Sequence, residues 1–207
     1  MLSRTVTKKI KPTPTSDGAG VKLGRVIGGH QLSELDPFLL LDEFKSDDPD
    51  AYIAGFPSHP HRGFETVTIM LDGYMEHKDN KGNKGLLTPG SVQWMTAGRG
   101  IVHSEMPKMD KGLMRGFQLW VNLPAEKKMM EPRYQDILPE DIPVVQDESE
   151  KVRVLAGCYK DTEGPVKDIV TSPLLLDVTL AADKQFSVET PTNHAFFAYL
   201  FEGSALL

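Results

Sequence analysis

The sequence predicts an all-β protein, folded as a barrel or sandwich, and three observations carry that prediction. The 18 glycines and 15 prolines are spread along the 207 residues and cut them into short segments. Those segments alternate in polarity or are rich in β-branched and aromatic residues, the habit of half-buried strands. Helical periodicity is scarce.

In chain order, the first half offers strands at Val21 to Ile27, Phe38 to Phe44, Glu65 to Asp72, Gly73 to Lys78, Ser91 to Thr96, Ile101 to Met106 and Met114 to Asn122. Their spacing is that of a barrel or sandwich. The sequence KGNKGLLTPG, beginning at Lys81, reads as two successive turns, because Asn and Gly tolerate positive φ and Pro presets a turn. A hairpin there would bring the strand after His61 close to the strand leading to His103.

The stretch 123–150 is polar, carries four prolines and lacks periodicity, so it reads as an ordered connector. The chain then divides into a first barrel at 1–122, the connector at 123–150, and a second domain at 151–207. Strands of that second domain are expected at Val152 to Tyr159, Leu174 to Leu180, Gln185 to Glu189 and Ala195 to Glu202. A weak repeat supports duplication: an apolar strand closed by an acidic residue and glycine follows His61 as GFETVTIMLDG and His194 as AFFAYLFEG.

Composition narrows the function. With 40% hydrophobic and 25% charged residues the chain can bury a core, which excludes disorder. A net charge of -6 without a long basic run argues against nucleic acid as a partner. The single cysteine, Cys158, excludes a disulfide framework and points to a reducing, cytoplasmic compartment. The N-terminal MLSRTVTKKIKPTPTSDGAG is basic and rich in Ser and Thr, lacks a signal-peptide core, and leaves an organelle transit peptide as the minor reading. No run of apolar residues is long enough to span a bilayer, so no membrane association is expected.

The chemistry concentrates in two short segments. In FPSHPHRGFETVTIMLDG, His59 and His61 stand two residues apart, so on a strand both imidazoles leave the same face. In MTAGRGIVHSEM, His103 and Glu105 repeat that spacing. Three imidazoles and one carboxylate, with no sulfur, suit a borderline divalent ion: iron, manganese, cobalt, nickel, copper or zinc. A lone strand histidine is usually a packed polar residue; two such pairs outweigh that reading. Glu65, four residues after His61, is an alternative fourth ligand if a bulge intervenes, or a carboxylate orienting a ligand imidazole. His30, His77 and His194 lack partners and read as surface or packing residues. Phe56, Trp94, Phe117 and Gln118 are candidates to line a pocket for a flat ligand, with core packing the cheaper account of the aromatics.

The segments HPHRGFETVTIMLDG, PGSVQWMTAGRGIVHSEMP and LWVNLPAEKKMMEPRYQD resemble the pirin family, a branch of the cupin superfamily. The resemblance is dense from Phe38 to Asp136 and loose elsewhere. It implies a bicupin of two antiparallel β-barrels, with one metal, commonly Fe2+, held in the first barrel by His59, His61, His103 and Glu105. It also implies that Glu65 is not a ligand. Two activities follow from it: a quercetin (flavonol) dioxygenase, with Glu105 as the catalytic base and dioxygen as co-substrate, or a non-enzymatic, redox-sensitive regulator that binds protein partners such as transcription factors. The chain stops at YLFEGSALL, where a second cupin barrel would need its later strands, so the C-terminal barrel is expected to be incomplete or the sequence truncated.

Overall fold

The computed structural model describes residues 4–206; Met1 to Ser3 of the basic N-terminal segment and Leu207 lie outside the described residues. Strands come first as β1 (Thr13–Asp17), β2 (Val21–Ile27), β3 (Phe38–Ser46), β4 (Phe56–His61), β5 (Phe64–Asp72), β6 (Met75–Asp79), β7 (Lys84–Leu87) and β8 (Val92–Thr96). They continue as β9 (Ile101–Pro107), β10 (Met114–Asn122), β11 (Arg133–Ile137), β12 (Val144–Gln146), β13 (Glu150–Ala156), β14 (Cys158–Tyr159), β15 (Thr162–Glu163) and β16 (Leu175–Leu180). Every pairing between named strands is antiparallel.

A seven-stranded sheet in the order β1-β2-β3-β10-β5-β8-β11 faces a four-stranded sheet in the order β4-β9-β6-β7. Strand periodicity divides the large sheet into two faces. Thr66, Thr68 and Met70 of β5 share the inner face with Gln93 and Met95 of β8, looking towards the small sheet. Val67 and Ile69 share the outer face with Trp94 and Val92. Both faces are buried along most of β5, with Thr66 and Thr68 on the inner one and Val67 and Ile69 on the outer one.

The outer face carries the principal core. Val67, Ile69, Trp94, Phe117, Leu119 and Val121 pack there against Leu155, Ala156 and Val166 from the later part of the chain. Phe197, Tyr199 and Phe201 add to the same cluster, while Phe196 and Leu200 point outward. The three-stranded sheet β12-β13-β16 and the β14-β15 hairpin complete the fold.

Three sequence expectations change, and one strand went unpredicted. The segments Gln185 to Glu189 and Ala195 to Glu202 form no strand; their alternating side chains pack on the protein, but no neighbouring backbone supplies a ladder. The 123–150 stretch is more than a connector, because its β11 pairs with β8 in the large sheet and its β12 pairs with β13. The turn after Lys81 closes a β6-β7 hairpin, and it is β4 itself, carrying His59 and His61, that lies beside β9. Strand β1 was hidden in the sequence because Pro14 and its polar neighbours TPTSD lack the apolar signal; as an edge strand it tolerates both.

Candidate metal centre

The local pairing of β4 with β9 builds the centre. His59 stands directly opposite His103 and Phe56 opposite Glu105, with a register shift between Phe56 and His59. Because each pair is spaced i, i+2, all four side chains leave the same face of the small sheet, towards the large one. Gly63, with φ of 82°, turns the chain out of β4 into β5 and donates its N–H to the Gly98 carbonyl at 2.8 Å. That turn needs a residue at ease in the left-handed region, which explains the glycine in HPHRGF.

The three imidazoles converge. Their ring centroids lie 4.7 Å (His59–His61), 4.6 Å (His59–His103) and 4.8 Å (His61–His103) apart. One nitrogen from each falls within 4.8 Å of the others, a group that could hold a metal ion. The Nε2 atoms of His59 and His103 approach to 3.1 Å. Neighbouring ligands on one ion at about 2.1 Å stand about 3 Å apart, so this spacing suits a shared ion. His61 Nε2 is buried and finds no hydrogen-bond partner among the described residues. His59 Nδ1 lies 2.8 Å from the Pro57 carbonyl; as the donor there, it leaves Nε2 with the free lone pair. Burial and then the neighbouring imidazoles push the His61 pKa down to about 4 and that of His103 down to about 3. Both rings are therefore neutral at pH 7, the form that binds metal. These residues fit a mononuclear borderline metal.

Glu105 is buried, with Oε2 3.9 Å from His103 Nε2. The Gln118 amide on β10 donates to both of its oxygens at 3.3 Å. The Thr68 hydroxyl on β5 lies 2.9 Å from Gln118 Oε1 and 3.3 Å from Glu105 Oε1. The small sheet thus presents the carboxylate and the large sheet orients it.

Glu65 does not join the group. It sits on the outer face of β5 with Val67, buried, and accepts a 2.6 Å hydrogen bond from Thr96 Oγ1. Burial raises its pKa, opposed by the hydrogen bonds from Thr96 and Trp94. No bulge occurs in β5 at Glu65 to rotate it, so period-2 geometry sends it away from the histidines. His30 and His194 are exposed, whereas His77 is 1% exposed, stands opposite Glu105 on β6 and binds Asp136 at 3.3 Å. Asp136 also accepts from Gln93 Nε2 at 2.8 Å. Glu76, His77 and Lys78 are all polar, so no alternation marked His77 as the buried one.

A cavity of about 620 Å³ opens in front of the centre. Phe56 and Gln118 line it as the sequence suggested, but Trp94 and Phe117 face the outer core instead. Sequence reasoning missed Phe64 and Trp120, whose rings lie 4.6 Å apart and 5.2 and 5.3 Å from the His61 ring. Trp120 follows a strand-period spacing from Gln118, the one signal that could have placed both on the cavity wall.

An antiparallel barrel that gathers three histidines and a glutamate on adjacent strands, facing a cavity, is the architecture of the cupin class. The pirin family model matches residues 20–121. The "Putative quercetin 2,3-dioxygenase" of Pseudomonas aeruginosa is 53% identical over 196 residues, covering 92% of this chain and 69% of that protein. A pirin-like protein of Caulobacter vibrioides is 49% identical over 98% of this chain and 74% of its own. Among solved structures, a quercetin 2,3-dioxygenase from Acinetobacter baumannii superposes with a TM-score of 0.68 at 38% identity, over 76% of this chain and 58% of that one. The chain therefore spans less than two thirds of that solved structure. It belongs to the pirin family.

Proposed function

We propose that the protein is a metal-dependent flavonol dioxygenase of the quercetin 2,3-dioxygenase type, and that its metal, Fe2+, is held by His59, His61, His103 and Glu105. The observation that carries the reading is the convergence of three imidazoles, with the buried Glu105 carboxylate beside His103, on an aromatic-walled cavity of about 620 Å³. When bound, the iron supplies Lewis-acid and redox chemistry towards a flavonol and dioxygen. The P. aeruginosa relative and the A. baumannii structure bear dioxygenase names, which supports the same activity here.

The chain's own groups divide the remaining work. Phe64 and Trp120 offer flat faces against which a planar ring can lie while water is displaced. Glu105 is the base that takes the proton from the flavonol 3-hydroxyl, raising electron density on the ring that dioxygen opens. The Gln118 amide, donating to both carboxylate oxygens, keeps Glu105 turned towards the histidines through that transfer.

The test is metal analysis of the purified protein, followed by loss of quercetin absorbance on admitting air to an anaerobic mixture. Turnover that vanishes in His59→Ala together with the metal is the expected result. Bound iron without turnover would overturn the enzymatic reading in favour of a redox-dependent regulator that binds a protein partner.

A further inference from the structure

The cavity has a second polar feature besides the three histidines and Glu105. Asp42 on β3 lines it, is 3% exposed, and stands directly opposite Gln118 in the β3-β10 register. Gln118, which holds Glu105 across from the small sheet, and Asp42 are therefore neighbours on the large sheet, one strand spacing, about 4.8 Å, apart. Phe44, Phe56, Phe64 and Trp120 supply the apolar lining around that pair.

A buried carboxylate is costly unless its charge is met. Arg25 on β2 meets it: Nε donates to Oδ1 at 2.9 Å and Nη2 to Oδ2 at 2.7 Å, while Nη2 also reaches Asp17 Oδ2 at 3.0 Å. The guanidinium fixes the carboxylate plane and neutralises it, yet each oxygen keeps a further lone pair. An oriented, charge-compensated acceptor in an aromatic cavity selects hydroxyl donors.

We propose that Asp42, held by Arg25, is the specificity-determining residue of the cavity, accepting hydrogen bonds from phenolic hydroxyls of a bound polyphenol. The assignment rests on the flavonol reading of the site and adds to it the preferred substitution pattern: a hydroxylated pendant ring. Its energetic weight is that of a hydrogen bond to a charged acceptor, worth roughly tenfold or more in affinity.

Anaerobic calorimetric titration of the iron-loaded protein with two flavonols tests it: quercetin, which carries a catechol on its pendant ring, and galangin, whose pendant ring has no hydroxyls. Wild-type protein should bind quercetin about tenfold or more tightly than galangin. Asp42→Ala should bring the ratio close to one, and Asp42→Asn, which keeps one acceptor oxygen and the shape, should lower it part of the way. Equal affinities in the wild type, or an undiminished ratio in both variants, would overturn the assignment while leaving the flavonol reading intact. Failure of the wild type to bind either flavonol would overturn both. Should Asp42→Ala fail to fold with Arg25 unpaired, the wild-type comparison and Asp42→Asn still decide the matter.

Discussion

Glu105 and the ligand imidazoles place distinct demands on single side chains. Glu105→Gln keeps the shape and one of the two contacts with Gln118 but removes the charge, so metal should bind more weakly while ring opening falls at least about a hundredfold, the scale of a lost general base. Full turnover of quercetin by that variant would exclude Glu105 as the base. Acid sensitivity follows from His61 and His103. Their folded pKa values, about 4 and about 3, lie below the ordinary 6.5, so on acidification the unfolded chain takes up protons first. The metal-free protein should keep its full stability above about pH 6.5 and lose it progressively as pH falls towards 4, a trend that denaturant titrations across that range will show. Stability that is flat down to pH 4 would contradict neutral, buried imidazoles.

At the scale of the element, β10 is the strand on which the site depends most, since it joins β3 to β5 and carries Gln118 and Trp120. Gly116 lies in it, and a Cβ there would collide with the Ile69 carbonyl and the Phe44 ring. Gly116→Ala should therefore cost about 1–3 kcal/mol, the usual price of overpacking, and shift Gln118 relative to Glu105. A lowered midpoint in chemical denaturation, with reduced metal occupancy, is the expected signature. The pairs His59/His61 and His103/Glu105 were legible because strand period 2 is written directly in the sequence. Whether β4 and β9 are neighbours was not, because register between distant strands is set by the whole sheet. Glu65 shows the same limit: its spacing from His61 allows either face until the absence of a bulge is known.

Across the whole molecule, the principal core is shared between the early sheet and the later chain, so the two halves should not melt separately. Leu155, 1% exposed, packs in the cluster that contains Val67, Trp94 and Phe117. Leu155→Ala should lower stability by about 2–5 kcal/mol. Loss of the β-sheet circular dichroism signal and metal release should then coincide in a single transition at lower temperature. Two separated transitions would show instead that the halves are independent.

The all-β class, the ligand residue types and the pirin resemblance were readable along the chain, because strand periodicity, turn residues and short motifs are local. Folding was needed to show that 185–189 and 195–202 pack without a ladder, that β11 joins the large sheet, that His77 is buried beside Asp136, and that Trp120 rather than Trp94 faces the cavity. Each of those depends on which distant backbone or side chain lies opposite, and alternation along one strand is the same whichever partner the other strands provide.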